Sequence, residues 1–267
     1  MTESMLLVVT GASKGLGEAI AYSFGKEPTS RLEVHLVARS SELLKTVATN
    51  LREQSKKTES VEVVCHEADL SALDTLDQTF DRIFQNVNLA LFETVIFVNN
   101  AGSIGFLGPC HESPSVQDMK KSVDLNVTSC LWLSSRFARL IMESKITTNK
   151  ATLINISSLL AEEAFPTMGI YAAGKAARDH YHATMANEIS SDTLKILNYA
   201  PGPLETDMVT EIRSAPKLDK GLRPGFEKKL IEPLDSAAKL TKLVLKGEYQ
   251  SGAHVDYYDL PDATSSK

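Results

Sequence analysis

Three side chains between positions 155 and 179 are of the types and spacing needed to reduce a carbonyl. Ser158, Tyr171 and Lys175 occur in the stretch N-I-S-S-L-L-A-E-E-A-F-P-T-M-G-I-Y-A-A-G-K-A-A-R-D. An ammonium beside a phenol stabilises phenolate and lowers the pKa of the phenol from about 10 towards neutrality. Such a phenol can protonate a developing alkoxide, and a serine hydroxyl can donate a hydrogen bond to the same oxygen. Because a Tyr and a Lys at this spacing also occur on ordinary surface helices, the chemistry requires a hydride donor from elsewhere in the chain.

The elements around these residues are typical of a parallel α/β sheet. Residues 151–156 are apolar and β-branched, which predicts a buried strand that ends just before Ser158. The alanine-rich segment from Tyr171 onward predicts a helix, on which Tyr171 and Lys175 share one face. Open α/β sheets place ligands at the carboxyl ends of their strands. Similar runs predict further strands at residues 5–10, 32–38, 61–66, 94–98, 195–199 and 251–256. Helices are predicted after position 17 to about position 25, and at 41–54, 123–143 and 235–245.

A glycine-rich turn follows the first predicted strand directly. Its sequence is T-G-A-S-K-G-L-G, with glycines at positions 11, 15 and 17. Glycines allow a tight turn and a close approach of backbone N–H groups, and the N-terminus of the following helix attracts a pyrophosphate. The spacing is G-x-x-x-G-x-G and differs from the general dinucleotide fingerprint. The strand before it and the helix after it nevertheless favour nucleotide binding.

Two cations predict that the nucleotide is NADPH. Arg39 follows the second strand, where a site that prefers NAD usually carries an acid, and Lys14 lies in the glycine turn. Both suit a ribose 2′-phosphate, although each is also a common solvated surface residue. Asp69, after the third strand, could accept a hydrogen bond from the adenine amino group or act near the N-cap of a helix that follows from Ser71. The sequence does not separate these two roles.

Length, charge and cysteine content narrow the class of protein. The 267 residues fit a single α/β domain, 1–267, and the net charge of −6 argues against nucleic acid or an anionic membrane as partner. No segment approaches the 18 or so apolar residues of a membrane span, and the N-terminal run M-T-E-S-M-L-L-V-V-T-G predicts a strand and not a targeting signal. Three cysteines without a C-x-x-C motif suggest neither a disulfide framework nor a metal site. These features predict a cytoplasmic protein.

Three further features concern the surroundings of the site. Asn99 in N-N-A-G, after the fourth strand, is expected to tie neighbouring loops together. Asn126 lies in an apolar part of the helix predicted at 123–143 and must find buried partners, for which a kink with ordered water is one solution. Residues 204–232 are charged and irregular, with prolines at 216 and 224. This pattern predicts a mobile lid over the site, with a disordered loop as the alternative.

Taken together, these motifs resemble the short-chain dehydrogenase/reductase superfamily. The motifs are T-G-A-S-K-G-L-G, N-N-A-G, L-N-V-T, S-x12-Y-x-x-x-K and P-G-P-L-E-T, and the resemblance covers residues 6 to about 255. It implies an α/β fold, a three-layer doubly wound Rossmann fold with a seven-stranded parallel sheet. It also implies that Ser158 polarises the carbonyl and that Tyr171 is the general acid. Lys175 would lower the pKa of that tyrosine and hold the nicotinamide ribose, and Asn126 would support a water-mediated proton relay.

The same resemblance implies a cofactor site and a homodimer. The helices at about 123–143 and 171–190 would form the dimer interface. The residues implied to bind NADPH are Gly11, Ala12, Ser13, Lys14, Gly15, Leu16 and Gly17, then Arg39, Ser40, Asp69, Leu70 and Asn100, and finally Tyr171, Lys175, Leu204, Glu205, Thr206, Asp207 and Met208.

A narrower resemblance points to members of the superfamily that reduce pterins. It rests on Y-A-A-G-K-A-A-R-D, L-N-Y-A-P-G-P-L-E-T-D-M and the C-terminal S-G-A-H-V-D-Y-Y-D. It implies that Asp256 anchors the guanidine-like edge of a pterin, because a carboxylate can pair with two neighbouring N–H groups. Asp256 could instead only solvate a chain end, and Asp259 is a competitor. The residues implied to contact substrate are Ser157, Ser158, Tyr171, Gly202 and Asp256.

The function predicted from these residues is NADPH-dependent reduction of the side-chain carbonyls of 6-pyruvoyl-tetrahydropterin and related pterin ketones in tetrahydrobiopterin biosynthesis. One alternative keeps the same chemistry and changes the substrate to other ketones or dicarbonyls. Another is a non-catalytic NADP-binding sensor, against which the presence of Ser158, Tyr171, Lys175 and Asn126 argues, because a pure binder has no need of a tuned phenol.

Overall fold

Seven parallel strands form one sheet in the part of the chain that the computed structural model describes, residues 4–55, 58–112, 115–144 and 150–261. The strands are β1 Ser4–Thr10, β2 Arg31–Ala38, β3 Ser60–Glu67, β4 Thr94–Asn99, β5 Lys150–Ile156, β6 Lys195–Ala200 and β7 His254–Asp256. Their order across the sheet is β3-β2-β1-β4-β5-β6-β7. The direction of winding reverses between β1 and β4, which creates a crevice at the carboxyl ends of the strands. The predicted doubly wound Rossmann fold is therefore confirmed.

Helices cover both faces of the sheet. They are α1 Gly15–Gly25, α2 Ser41–Gln54, α3 Leu76–Phe84, α4 Val116–Val123, α5 Ser129–Ser144, α6 Gly169–Glu188, α7 Asp207–Ser214, α8 Arg223–Glu227 and α9 Pro233–Lys246. Apolar side chains of α1, α2 and α9 pack on one face, and those of α3, α5 and α6 pack on the other. Successive residues of β1 alternate between the two cores, because neighbouring side chains of a strand point to opposite faces. Burial on both faces explains why the central strands are continuous apolar runs.

Three predicted elements differ from the structure near the crevice. The helix predicted at 123–143 begins at Val116 and is interrupted by a π-helical turn, Asp124–Thr128. The helix expected from Ser71 begins only at Leu76, after a 3-10 turn. The strand predicted at 251–256 is limited to His254–Asp256, because Gly252 turns the chain with a φ of +84°.

The segment predicted to be irregular, 204–232, contains α7 and α8. Its ends meet in a parallel bridge between Leu204 and Ile231. The Arg213 guanidinium donates to both carboxylate oxygens of Glu205 at 2.6 and 2.9 Å. The inner face contributes Val209 and Ile212 to a small apolar core shared with the loop after β4. The disordered-loop alternative is wrong, whereas the mobility of the lid remains a prediction.

Candidate active site

A cavity of about 1440 Å³ lies at the carboxyl ends of the strands and extends from the glycine turn to β7. This is the position at which open α/β sheets bind their ligands. The predicted site residues that line it are Gly11, Ser13, Lys14, Gly15, Leu16, Arg39, Ser40, Asp69, Leu70, Asn100, Ser157, Ser158, Tyr171, Lys175, Gly202, Leu204, Glu205, Thr206, Asp207, Met208 and Asp256. Ala12, Gly17 and Asn126 are the predicted site residues that do not line it, among those the structure describes.

The backbone of the glycine turn forms the floor at one end of the cavity. Gly11 and Gly15 have φ values of +66° and +61°, which side chains rarely allow. A Cβ atom on Gly17 would lie 2.3 Å from the carbonyl oxygen of Gly11, so this glycine allows close packing and does not itself face the ligand space. The amide of Ala12 donates to the carbonyl of Val37 at 3.2 Å. The open turn fits a pyrophosphate, and a cofactor contact of Ala12 or Gly17 stays a prediction.

Two asparagines at the carboxyl end of β4 hold this region together. Asn99 is buried, and its Nδ2 donates to Ser134 Oγ at 2.7 Å. This contact confirms its predicted structural role. The neighbouring Asn100 donates through Nδ2 to the carbonyls of Thr10 and Gly11 at 2.9 and 3.2 Å. Asn100 thus fixes the glycine turn to β4 and also lines the cavity.

The residues expected around the adenosine all line the cavity. Asp69 Oδ1 accepts hydrogen bonds from the amide and hydroxyl of Ser71 at 3.0 and 2.7 Å, and these bonds hold the pKa of Asp69 below its usual value. Asp69 therefore stabilises a turn and does not cap a helix. Lys14 Nζ lies 2.6 Å from Asp207 Oδ2, in an exposed ion pair that joins the glycine turn to α7. Arg39 is exposed and also lines the cavity.

The structure brings Ser158, Tyr171 and Lys175 together on the cavity wall. Ser158 follows β5 and caps a 3-10 turn by accepting from the amide of Leu160 at 3.2 Å. Its hydroxyl is also hydrogen-bonded to the phenol of Tyr171. Lys175 Nζ lies 5.4 Å from the centre of the Tyr171 ring and donates to the carbonyl of Ile156 at 2.5 Å. Helix α6 and the end of β5 thus place the three groups around one point.

Burial and nearby charges act in opposite directions on the pKa of Tyr171. Burial raises the pKa of Tyr171 to about 12, and the charge of Arg178 and the hydrogen bond from Ser158 oppose this rise. Burial also holds the pKa of Lys175 well below its usual value, so the charge on Lys175 is itself disfavoured. Arg178 is thus a second cation, unforeseen from the sequence, whose charge favours the phenolate of Tyr171, and the role of Lys175 in lowering this pKa stays a prediction. A phenol with this pKa is protonated at neutral pH and is available as an acid.

Arg178 is fully buried beneath the site. Its Nε donates to Asn155 Oδ1 at 2.7 Å, and its two terminal nitrogens donate to the carbonyls of Asn99 and Ala101 at 2.6 and 3.3 Å. It joins α6 to β5 and to the loop after β4. Sequence reasoning assigned no role to Arg178. The available signal was its position three residues after Lys175, which places both on one face of the helix.

Asn126 lies in the π-helical turn and contacts the loop after β4. Its Oδ1 accepts from the amide of Ser103 at 2.9 Å, and its Nδ2 donates to the carbonyl of Ser103 at 3.0 Å and to Ser122 Oγ at 3.2 Å. Protein groups therefore supply the buried partners that the Asn126 side chain was predicted to need. The role of Asn126 in a proton relay remains a prediction. A π-turn inside a helix often marks a functional site.

The end of the cavity near β7 contains several carboxylates. Asp256 Oδ1 accepts from the amide of Tyr258 at 2.9 Å, and Asp259 Oδ2 accepts from the amide of Asp256 at 3.0 Å. These two bonds form a capping box at a 3-10 turn. Glu162 lines the same end. Asp256 therefore has a structural bond in addition to its place on the cavity wall.

The neighbouring walls are formed by Ser157, Gly202 and apolar side chains. The hydroxyl of Ser157 is buried and has no hydrogen-bond partner among the described residues, as expected of a group that contacts a ligand. Gly202 has a φ of +72°, and a Cβ atom there would lie 2.5 Å from Ile231 Cδ1. Sequence reasoning missed the apolar wall because its members come from loops and the lid and follow no helical or strand period: Leu159, Leu160, Phe165, Met168, Ile212, Leu222 and Phe226.

The fold beneath the site is expected to lose stability in acid. His182 is fully buried, and its Nδ1 and Nε2 each lie 2.7 Å from an oxygen, the carbonyl of Arg178 and Ser134 Oγ. Burial lowers the pKa of His182 from 6.5 to about 4. The folded state binds a proton on His182 less readily than the unfolded state does. The contribution of His182 to the free energy of unfolding is therefore complete above pH 6.5 and is lost as the pH falls towards 4. We expect the free energy of unfolding to fall by up to about 3 kcal/mol from this group.

Urea unfolding between pH 7 and pH 4.5 measures this effect. His182→Gln should flatten the dependence of the free energy of unfolding on pH, and the same change at the exposed His111 should leave that dependence unchanged. If the free energy of unfolding depended on pH equally in His182→Gln and in the unaltered protein, His182 would not be the source of the loss of stability in acid.

Comparison with known proteins identifies relatives of the chain. A sequence model of the family described as short chain dehydrogenase matches residues 6–217. Sepiapterin reductase of Rattus norvegicus is 31% identical over 259 residues, which cover 95% of this chain and 96% of the relative. Benzil reductase ((S)-benzoin forming) of Bacillus subtilis is 28% identical over 216 residues and covers 80% of each chain. The crystal structure of levodione reductase has the same fold, with a TM-score of 0.78, 20% identity and 96% of both chains covered.

Two kinds of feature are absent from the described residues, a membrane-spanning helix and a cluster of metal ligands. None of the helices in the described ranges has the length and apolar character needed to cross a membrane. No group of three or more His, Cys, Asp or Glu side chains placed to hold a metal ion occurs in the same part of the chain.

Proposed function

The chain belongs to the short-chain dehydrogenase family, and we propose that it is an NADPH-dependent reductase of pterin side-chain ketones. The reaction is reduction of the side-chain carbonyls of 6-pyruvoyl-tetrahydropterin and sepiapterin, a step in the biosynthesis of tetrahydrobiopterin. One observation carries the proposal. A single cavity joins a glycine turn, the Ser158, Tyr171 and Lys175 cluster and a carboxylate-lined end.

The residues of the cavity fit a nicotinamide dinucleotide. The open backbone at Gly11 and Gly15 suits the pyrophosphate, and Arg39 suits a ribose 2′-phosphate. Lys175 would hold the nicotinamide ribose, and residues 204–206 would meet the carboxamide. NADPH bound in this way would supply the hydride.

The side chains around the reacting carbonyl supply the proton and the orientation. Ser158 would donate a hydrogen bond to the carbonyl oxygen and polarise it. Tyr171, protonated at neutral pH, would then transfer its hydroxyl proton to the alkoxide that develops there. Arg178, a buried residue of α6, would stabilise the phenolate that remains. Each group acts from a position fixed by β5 or α6, so little reorganisation accompanies the reaction.

The far end of the cavity supports a pterin as substrate. Asp256, Asp259 and Glu162 make this end negative, which suits the N–H groups of an amino-pyrimidinone ring. Apolar side chains such as Phe165 and Leu160 provide surfaces for a flat ring. The similarity to the rat sepiapterin reductase over nearly the whole chain supports the same conclusion.

The test is a comparison of substrates by the rate of NADPH oxidation. We expect kcat/KM for sepiapterin to exceed the values for benzil, diacetyl and cyclohexanone by at least about 100-fold, because a site built to bind polar groups discriminates strongly against ligands that lack them. Benzil as the preferred substrate, with little reduction of sepiapterin, would contradict the proposal.

A second candidate function is reduction of aromatic or aliphatic dicarbonyls by the same catalytic groups. The extent of the apolar wall and the similarity to the Bacillus subtilis benzil reductase favour it. Reduction of dicarbonyls does not require Asp256. The same comparison of sepiapterin with benzil and diacetyl separates the two candidate functions.

Cofactor preference is expected to depend on Arg39. Arg39→Asp should lower kcat/KM for NADPH by about 10-fold to 100-fold and leave kcat/KM for NADH unchanged or improved, because a carboxylate repels the 2′-phosphate and can bind the ribose hydroxyls. Initial rates with each cofactor measure the ratio. Lys45→Asp, which makes the same charge change outside the cavity, is the control. An unchanged NADPH/NADH ratio in Arg39→Asp would exclude a phosphate contact at this position.

Four features remain predictions: the single domain spanning 1–267, the mobile lid at 204–232, the homodimer and the cytoplasmic location. Exposure of Val123 and Met142, at the two ends of the helical segment predicted to form the interface, supports the dimer.

A further inference from the structure

His254 lies on the cavity wall at β7 and has no role in the chemistry described above. Its Nδ1 lies 2.6 Å from Asp179 Oδ2, and both side chains are 13% exposed. The other ring nitrogen, Nε2, is buried and has no hydrogen-bond partner among the described residues. Buried polar atoms without partners are rare in folded proteins, and a contact with a ligand is one explanation.

The surrounding bonds fix the orientation of the His254 ring. Asn155 Nδ2 donates to Asp179 Oδ1 at 2.9 Å, and Asn155 Oδ1 accepts from Arg178 Nε at 2.7 Å. Asp179 is therefore held at both carboxylate oxygens and keeps Nδ1 of His254 on the protein side. The two nitrogens of an imidazole lie on different edges of the ring, so Nε2 is directed away from Asp179.

The charges around His254 favour its protonated form. The hydrogen bond to Asp179 raises the pKa of His254 above 6.5, burial opposes this rise, and the nearby carboxylates of Glu162 and Asp256 add to it. With both nitrogens protonated, Nδ1 donates to Asp179 and Nε2 is a second donor.

We infer that His254 is a substrate-positioning residue that donates a hydrogen bond from Nε2 to the ring carbonyl oxygen of the pterin, beside the N–H edge that Asp256 binds. This inference rests on the proposed function. The amino-pyrimidinone ring of a pterin presents an amino group, a ring N–H and a carbonyl oxygen in a row. A carboxylate and a cationic donor side by side complement that row.

The geometry of β7 places the side chains of His254 and Asp256 on the same side of the strand. His254 and Asp256 are two residues apart on β7, so their side chains leave the same face of the strand at a spacing of about 6.6 Å. Both residues line the cavity. His254 would thereby distinguish a pterin from a dicarbonyl of similar size, because the dicarbonyl lacks a ring carbonyl beside an N–H edge.

Two substitutions separate this contact from the structural bond to Asp179. The amide nitrogen of Asn occupies nearly the place of Nδ1, so His254→Asn keeps the bond to Asp179 and removes the outer donor. The longer side chain in His254→Gln places an amide N–H near the position of Nε2. We expect His254→Asn to raise KM for sepiapterin by about 10-fold to 100-fold and His254→Gln to raise it much less. Neither variant should change KM for benzil or kcat for either substrate.

The measurement is KM and kcat of both variants for sepiapterin and for benzil, with circular dichroism to confirm folding. The opposite order, with His254→Asn normal and His254→Gln impaired, would show that only the bond to Asp179 matters and would overturn the contact. An equal increase of KM for both substrates would also overturn it. If the unaltered protein does not reduce sepiapterin, the proposed function fails and this contact fails with it. If it does and both variants retain its KM, only the contact fails.

Discussion

Tyr171→Phe is expected to lower kcat for carbonyl reduction by at least about 1000-fold, because removal of the phenol removes the acid that protonates the alkoxide. The substitution preserves the ring against which Lys175 Nζ lies and deletes only the hydroxyl that is bonded to Ser158. NADPH should still bind, which quenching of intrinsic fluorescence on titration measures. Loss of turnover with binding retained would locate the effect in the chemical step.

A second tyrosine on α6 provides the matched control. Tyr181→Phe makes the same change ten residues further along the helix, at a position that does not line the cavity among the residues described. It should leave kcat unchanged. If Tyr171→Phe retained more than about a tenth of the activity, Tyr171 would not be the acid, since positioned acids contribute at least about 100-fold.

Asp256→Asn is expected to raise KM for sepiapterin by about 10-fold to 100-fold, because a hydrogen bond to a charged group contributes more than one to a neutral amide. Asn is also a good helix-capping residue, so its side-chain oxygen can still accept from the amide of Tyr258. The variant therefore removes the charge and keeps the local structure. KM for benzil should not change.

Asp256→Ala and Asp259→Asn complete this experiment. Asp256→Ala also removes the cap and is expected to lower the free energy of unfolding by about 1 kcal/mol. Asp259 lines the same end of the cavity, and its Asn variant tests which carboxylate binds the pterin edge. If Asp256→Asn left KM for sepiapterin unchanged while Asp256→Ala raised KM for both sepiapterin and benzil, Asp256 would have only a structural role.

The regular elements of the fold follow from local pattern. The amphipathic spacing of α2 predicts its bounds, Ser41–Gln54, correctly, and Ser40 supplies the expected N-cap by accepting from the amide of Leu43. Continuous apolar runs place the central strands within two residues of their ends, because both faces of a parallel sheet are buried. The motifs around Ser158, Tyr171 and the glycine turn also bring together the groups they predict.

The features that the sequence did not predict depend on contacts between distant segments. The partner of Asn126 is the backbone of Ser103, 23 positions away. The buried cation at Arg178 is recognisable only when the carbonyls of β4 and its loop surround it. The pairing of His254 with Asp179 joins residues 75 positions apart. Periodicity describes one element at a time and carries no information on such partners.

Transfer of a hydride to the side chain of a pterin is the central claim, and an isotope experiment tests it most directly. Sepiapterin is incubated with the protein and NADPH deuterated at C4, in each of the two possible configurations, and the product is examined by mass spectrometry and proton NMR. One configuration should give a product with a single deuterium on the side-chain carbon that carried the ketone, and the other should give none. Deuterium on the pterin ring, or no reduction of sepiapterin with either cofactor, would contradict the account.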